Sequence, residues 1–136
     1  MRTALESATL GGMIRRLLPE DLDELNRWYA AHGAGPVPGR TVPEFGLIVP
    51  DVAAGHLYRT DSDIALIDGL VTNPEASSAT RHEALTGIVG GLLAEARRTG
   101  CARVLAFTKH DTIRRRAMDL HGARDLGAFS LFGVEF

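Results

Sequence analysis

The stretch from residue 70 to residue 100, LVTNPEASSATRHEALTGIVGGLLAEARRTG, constrains the fold more than any other part of the sequence. It starts as a short apolar run, breaks at Asn73-Pro74, and continues as a long segment in which leucine, isoleucine, valine and alanine recur at helical spacing. Gly100 ends this pattern. The stretch therefore predicts a buried strand, a short polar turn and a helix that packs one face on the core.

Strands and helices are also predicted on both sides of this stretch. Before it, the sequence predicts a strand at MIRRL, a helix over PEDLDELNRWYAAHG, and three strands joined by tight turns at FGLIV, GHLYRT and IALIDGLVT. After it, the sequence predicts a buried strand at ARVLAFT, a helix at DTIRRRAMDLHG that Asp111 is placed to cap, and a terminal strand at AFSLFGVEF. The predicted order is strand, helix, three strands, helix, strand, helix, strand.

Length and composition predict one domain. A chain of 136 residues, of which 45% are hydrophobic, can build one core but not two ordinary ones. Residues 1–12, MRTALESATLGG, lack a sustained period and end in Gly-Gly, so we predict a flexible leader before a domain at 13–136. The single cysteine, Cys101, cannot form an intramolecular disulfide, and no signal-peptide pattern is present. We therefore expect a cytoplasmic protein without a membrane partner.

Charge and histidine spacing narrow the possible partners. The net charge of −2 does not favour nucleic acid, although a local patch could still bind it. The three arginines of IRRRAM most simply form a solvated surface. No metal site is predicted, because metal-ligand spacing is missing among the scattered histidines His32, His56, His82 and His121.

The turn EASSATR, just before the long helix, has features of an anion site. Thr80 and Glu83 match a capping box and predict that the helix starts near Thr80. Ser77 and Ser78 are small, so a ligand could approach their amides, and Arg81 adds a cation that the helix dipole alone disfavours. A helix N-terminus favours an anion such as a pyrophosphate. An ordinary, well-capped turn would use the same residues, and that alternative stays open.

The order of elements and this turn together resemble the GNAT (Gcn5-related) N-acetyltransferases, over roughly residues 13–136, and most closely the compact GNAT-like proteins of phage genomes. The resemblance implies an α+β (mixed α/β) fold whose central, mostly antiparallel mixed sheet is flanked by helices. This sheet would be splayed between its fourth strand, IALIDGLVT, and its fifth, ARVLAFT. Acetyl-CoA would lie in the gap as co-substrate. The chain would then be an enzyme that transfers an acetyl group to an amine by direct attack in a ternary complex.

The resemblance also implies the contacts to acetyl-CoA. Family members carry an Arg/Gln-x-x-Gly-x-Gly/Ala loop for the pyrophosphate, and the matching stretch SSATRHEAL lacks these glycines. Amides around residues 76 to 81 and the serine hydroxyls would then take over those contacts, while the strand residues would offer backbone groups to the pantetheine arm and the thioester. The implied contacts are Leu70, Val71, Thr72, Ala76, Ser77, Ser78, Arg81, Thr108 and Asp111. Asp111 could equally be only a helix cap.

Acetylation of an alkyl amine needs a base, because an amine with a pKa near ~10.4 is almost fully charged at neutral pH. Asp68 interrupts the apolar strand IALIDGLV, where burial would raise its pKa toward a useful range. A solvent-facing or strand-edge acid is the alternative. Tyr58 and His110 are the other candidate catalytic residues. The family's tyrosine acid, four residues before a Gly-Phe glycine, falls at Met118, so the usual acid is missing.

Two other functions remain open from the sequence. A catalytically silent GNAT-like module that binds an acyl-CoA or a protein would explain the missing glycines and tyrosine. A phage-type acyltransferase that modifies DNA bases is the third hypothesis, against which the acidic net charge argues mildly. The acceptor amine is not encoded in a recognisable motif, and the chain could be a monomer or a homodimer.

Overall fold

The computed structural model describes residues 13–36 and 41–136. The predicted leader, residues 1–12, lies outside the described residues. Within the described residues, five strands form one sheet in the order β1-β2-β3-β4-β5. The first three pairings are antiparallel, and β4 pairs with β5 in parallel, which confirms the predicted mixed, mostly antiparallel sheet. The strands are β1 (Arg15–Arg16), β2 (Phe45–Val49), β3 (Ala53–Arg59), β4 (Ile64–Thr72) and β5 (Arg103–Ala106).

Helices cover both faces of the sheet. Helix α1 (Leu22–Ala31) follows a 3-10 turn at Pro19–Asp21, helix α2 (Ser78–Arg98) follows β4, and helix α3 (Asp111–His121) follows β5. The apolar side of α1 packs its buried Leu25 and Trp28 on one face of the sheet. The opposite face carries the larger core, to which α2 contributes Ala84, Ile88, Leu92 and Ala96. Their spacing of four residues aligns them along one side of the helix.

Helix α2 begins two residues earlier than the sequence predicts. Ser77, not Thr80, is the N-cap: its backbone is extended, and its Oγ accepts a hydrogen bond from the N–H of Thr80 at 3.2 Å. The Ser77 hydroxyl also donates to Thr80 Oγ1 at 2.8 Å. The predicted Thr80–Glu83 capping box is therefore wrong, because the helix has already begun at Ser78 and Thr80 lies inside its first turn.

Strands β4 and β5 separate after a short common stretch. They pair from Ile64↔Arg103 to Ile67↔Ala106. Strand β4 then continues to Thr72, whereas β5 ends, so residues 68–72 have no partner on that side within the described chain. This is the opening that was expected between the fourth and fifth strands.

The C-terminal third differs from the sequence-based expectation. Strand β5, predicted to be buried, is exposed at both ends, and none of the residues of α3 is buried. The predicted terminal strand at AFSLFGVEF is wrong, since residues 122–136 form neither helix nor strand. A strand needs a neighbour for its N–H and C=O groups. The chain leaves α3 through Gly122, at φ 69, and does not pair with β5.

Candidate active site

Strand β4 carries a bulge where its pairing with β5 has ended. Ala54 pairs with Val71 and His56 pairs with Asp68, so two residues of β4, Gly69 and Leu70, oppose the single Gly55 of β3. Gly69 has φ 69, a left-handed conformation that glycine adopts without a side-chain penalty. A bulge leaves its extra residue outside the hydrogen-bond ladder and re-aims the strand. It therefore places an unpaired backbone position beside the opening.

The ring of His56 fills the space beside this bulge. A Cβ at Gly69 would lie 2.9 Å from His56 Nδ1, and one at Gly46, on β2, would lie 2.7 Å from His56 Cδ2. The residue is only 2% exposed, and both ring nitrogens lack a hydrogen-bond partner in the described structure. Burial lowers the pKa of His56, while the charge of Asp68 opposes that shift. The imidazole is therefore neutral at neutral pH.

Tyr29 of α1 holds the bulge on the same face of the sheet as His56. Its hydroxyl donates a hydrogen bond of 2.7 Å to the carbonyl oxygen of Gly69. Burial, with smaller contributions from Tyr58 and Asp68, raises the pKa of Tyr29 to about 12. The phenol therefore remains a donor across the physiological pH range and fixes the direction of the Gly69 carbonyl.

Tyr58 and Asp68 complete the group. Tyr58 is half-buried on β3, and burial followed by the charge of Asp68 raises its pKa. Asp68 faces His56 across the β3–β4 ladder, but its side chain is exposed, so the burial expected from the sequence is wrong. In β4, the residues before the bulge are buried only at alternate positions, and Asp68 is at one of the exposed positions. We call these four residues, Tyr29, His56, Tyr58 and Asp68, the bulge cluster.

The strand residues expected to contact acetyl-CoA are held by packing. The side chain of Leu70 packs on the α2 core, and Val71 is buried against α1. The carbonyl oxygen of Thr72 lies 3.0 Å from His32 Nε2. Any contact that Leu70 and Val71 make with a ligand in the opening would therefore come from the backbone.

The turn after β4 is shaped by Asn73. Its Oδ1 accepts from the N–H of Glu75 at 3.0 Å, its Nδ2 donates to the carbonyl of Asp51 at 2.9 Å, and its own carbonyl accepts from the N–H of Ala76 at 3.1 Å. A side chain that bonds the backbone two residues on is a common way to fix a turn. Asn73 thereby directs the chain into α2.

The first turn of α2 has backbone N–H groups that no carbonyl of the helix accepts. The N–H groups of Ser78 and Ala79 have no intrahelical acceptor because they lie before the first complete helical turn. Arg81 is half-buried and donates its backbone N–H to Ser77. The Ser77 hydroxyl is already engaged with Thr80, so the amides and Ser78 are the freer anion donors.

The residues expected on the β5 side lie in exposed positions. His110 is the N-cap residue of α3, and its N–H donates to Thr108 Oγ1 at 3.1 Å. Asp111 is the first residue of α3 and not its cap, and it forms an ion pair with Arg114 at 3.1 Å. The position of the missing acid, Met118, is also exposed. His110 thus lies at the start of α3 and not on the strands that carry His56, Tyr58 and Asp68.

Sequence reasoning missed two members of the cluster, His56 and Tyr29. Alternation along the strand AAGHLYR places His56 and Tyr58 on one face, and this signal was available. Gly46 and Gly69 make room for the ring of His56, but they come next to it only when β2, β3 and β4 pair in the folded sheet. The bond from Tyr29 to Gly69 joins residues forty apart and has no local signal.

The described residues, 13–36 and 41–136, contain neither a candidate membrane-spanning helix nor a candidate metal cluster. None of their helices has the length and apolarity needed to cross a bilayer. Within the same ranges, no group of three or more His, Cys, Asp or Glu side chains is placed to hold a metal ion.

Comparison with known proteins identifies the fold. No family model matches the sequence, and no characterised protein matches it significantly. A proposed acetyltransferase from Agrobacterium tumefaciens superposes with a TM-score of 0.67 at 14% identity, covering 88% of this chain and 99% of that one. Rv2747 from Mycobacterium tuberculosis, solved in complex with CoA, gives 0.60 at 20% identity over 88% and 75% of the two chains.

A third solved structure also has the same fold. A proposed GNAT-family acetyltransferase from Novosphingobium aromaticivorans superposes with a TM-score of 0.64 at 16% identity, over 79% of this chain and 50% of that one. The open β4–β5 pair and the helices on both faces of the sheet agree with these matches. The chain therefore has the GNAT acetyltransferase fold.

Proposed function

We propose that this protein is an acetyl-CoA-dependent N-acetyltransferase that acts on an amine by direct attack in a ternary complex. The observation that carries the proposal is the β4 bulge, which lies beside the β4–β5 opening with the bulge cluster around it. A backbone donor and titratable side chains within one opening are what acyl transfer to an amine requires.

Acetyl-CoA would bind along the open side of β4. Backbone groups of residues 70–72 would contact the pantetheine arm, and the N–H groups of Ser78 and Ala79 would contact the pyrophosphate, with Arg81 and the Ser78 hydroxyl beside it. These amides are unsatisfied within the helix and lie at the positive end of its dipole, which suits an anion. Support also comes from the fold neighbour Rv2747, which was solved with CoA.

In the proposed reaction the amine nitrogen attacks the thioester carbonyl carbon, the C–S bond breaks, and the amine loses a proton. The unpaired amide of the bulge would stabilise the developing oxyanion. Asp68 would accept the proton, because its exposed carboxylate can be reached by an acceptor amine in the opening. Tyr58 would act as the acid in place of the family's missing tyrosine, because its raised pKa keeps its phenol protonated.

Three variants and a control test the assignment of the base. Asp68→Asn should keep the affinity for acetyl-CoA and lower the acetylation rate of a model amine by ~10²- to 10⁴-fold. Tyr58→Phe and His110→Ala test the rival positions in the same assay. Asp61→Asn removes an exposed acid from the turn before β4 and should leave rate and affinity unchanged. Equal rates in parent and Asp68→Asn would remove Asp68 from the mechanism.

Binding and turnover together separate the enzyme from a silent module. Acetyl-CoA at a hundredfold excess over its dissociation constant should stabilise the fold by ~2.7 kcal/mol and raise its melting temperature. The exposed Met118 at the position of the usual acid favours the silent module. Stabilisation by acetyl-CoA without turnover over a broad amine panel would support that second function. No stabilisation at millimolar acetyl-CoA would contradict both.

A further inference from the structure

Two side chains from the end of α1 hold the open half of β4. Residues 68–72 of β4 have no strand partner on the β5 side within the described chain. The Tyr29 hydroxyl donates to the carbonyl oxygen of Gly69 at 2.7 Å, and His32 Nε2 donates to the carbonyl oxygen of Thr72 at 3.0 Å. Tyr29 and His32 are three residues apart and therefore lie on the same side of the helix. Helix α1 thus fixes two carbonyls of a stretch that β5 leaves unpaired.

The two peptide units that α1 holds differ at their N–H ends. A trans peptide unit is planar, so its C=O and its N–H point in opposite directions, and no described peptide bond is cis. In the unit that joins Thr72 to Asn73, the N–H donates to the carbonyl of Val52 at 2.8 Å, so both ends are engaged within the protein. In the unit that joins Gly69 to Leu70, Tyr29 holds the carbonyl end, and the N–H belongs to the bulge. Only this second unit has its N–H in the bulge.

The bond from Tyr29 directs the N–H of Leu70 away from α1. Helix α1 packs on one face of the sheet and α2 packs on the other. Because the Gly69 carbonyl points to a side chain of α1, the N–H at the other end of the same peptide points toward the face that carries α2. The proposed pyrophosphate site is the first turn of α2. The N–H of Leu70 therefore points toward the side from which acetyl-CoA would enter the opening.

Gly69 cannot fix this peptide by itself. A glycine restricts its own backbone less than any other residue, and Gly69 is at φ 69. Its orientation therefore depends on its neighbours, which are the ring of His56 and the hydroxyl of Tyr29. The ring fills space without a hydrogen bond, since both nitrogens of His56 lack a partner in the described structure. Tyr29 is thus the side chain that sets the direction of the carbonyl.

We propose that Tyr29 is a positioning residue for the amide of the bulge. It holds the peptide between Gly69 and Leu70 so that the N–H of Leu70 faces the thioester oxygen of acetyl-CoA, and it does not touch the substrate itself. A donor that is already aimed at the developing oxyanion needs no rearrangement during the reaction. This inference rests on the proposed function and names both the amide that serves it and the side chain that orients that amide.

Infrared spectroscopy of bound acetyl-CoA, labelled with ¹³C at the thioester carbonyl, tests the inference without turnover. A hydrogen bond to a carbonyl oxygen lowers its stretching frequency, so the band in the parent should lie below that of free acetyl-CoA. Tyr29→Phe keeps the ring and removes only the hydroxyl. Its band should move back toward the free value, while the dissociation constant of acetyl-CoA changes little because most contacts remain.

His32→Ala is the matched control. It removes a hydrogen bond of the same kind from the same helix, but the peptide N–H beyond Thr72 is already bonded to Val52. The carbonyl band should therefore stay where the parent has it. Both variants are compared below their melting temperatures, with circular dichroism as the check on folding.

Steady-state kinetics give the second readout. Tyr29→Phe should lower kcat by ~10- to 10²-fold at an unchanged KM for acetyl-CoA, because a misplacement of about 1 Å can cost about 10²-fold. A parent that binds acetyl-CoA, with the same band in Tyr29→Phe, overturns the positioning role and leaves the proposed function standing. An equal shift in His32→Ala also overturns it, since that result would indicate a general loosening of α1. A parent that does not bind acetyl-CoA overturns the proposed function and this inference with it. If the parent binds without turnover, the band alone decides.

Discussion

Gly69 at the β4 bulge allows the clearest test of how the site is built. Gly69→Ala places a methyl group 2.9 Å from His56 Nδ1 and 3.0 Å from Tyr29 Oη, while the backbone stays at φ 69. The left-handed conformation costs a side-chain-bearing residue about 1–2 kcal/mol. Displacing the Tyr29 hydroxyl from the Gly69 carbonyl removes a hydrogen bond that contributes about 0.5–1.5 kcal/mol. Together these effects predict a loss of about 1.5–3.5 kcal/mol.

Thermal or urea unfolding followed by circular dichroism measures this loss. For a chain of this size the melting temperature should fall by roughly 5–14 °C. Acetylation should also fall, because the backbone donor of the bulge would move. The loss of stability can be measured whether or not the protein is an enzyme.

Gly122 provides a matched control for this prediction. It has the same φ of 69, but a Cβ there would meet nothing within 4 Å. Gly122→Ala should therefore show only the backbone cost of about 1–2 kcal/mol. If the two variants lose the same stability, the contacts of His56 and Tyr29 with the bulge do not constrain it, and the reasoning fails.

Three further predictions concern the same framework. Tyr29→Phe should lower the free energy of unfolding by about 0.5–1.5 kcal/mol, measured by urea denaturation, because it leaves the Gly69 carbonyl without its donor. Burial lowers the pKa of His56, so below pH 6.5 the unfolded chain binds a proton at this residue that the folded chain does not. The free energy of unfolding should therefore fall below pH 6.5 by up to about 1.4 kcal/mol per pH unit. Above pH 6.5 this residue should leave it unchanged. Ser77→Ala should cost about 0.5–2 kcal/mol by uncapping Thr80 at the start of α2, as read from the melting temperature.

Controls distinguish these effects from general damage. His56→Gln should flatten the pH profile, and His121→Gln should flatten it less, since burial lowers the pKa of His121 also, but that side chain is less enclosed. A slope unchanged by His56→Gln would refute its assignment. Ser78→Ala, one position inside the helix, should leave stability nearly unchanged, and a loss equal to that of Ser77→Ala would contradict the observed cap. Stability unaffected by Tyr29→Phe would mean that the carbonyl finds another donor.

The sequence by itself determined the order and type of most elements. The runs FGLIV and IALIDGLVT predicted both ends of β2 and β4 correctly. The pattern is readable from the sequence because the side chains of a strand alternate between the two faces of the sheet, whichever strand lies beside it. The four-residue spacing in α2 identified the face that carries Ile88 and Leu92. The sequence also pointed to Asp68 and Tyr58, polar residues in two adjacent predicted strands, and both belong to the bulge cluster of the candidate site.

Tertiary structure alone decided the register and everything that depends on it. The bulge at Gly69, the room for His56 between two glycines and the bond from Tyr29 all require strands and a helix distant in sequence to meet at one position. Asp68 is exposed because it lies in the half of β4 that β5 does not cover. The terminal run AFSLFGVEF has the composition of a strand, yet it forms none here, because a strand exists only where a neighbour accepts its hydrogen bonds.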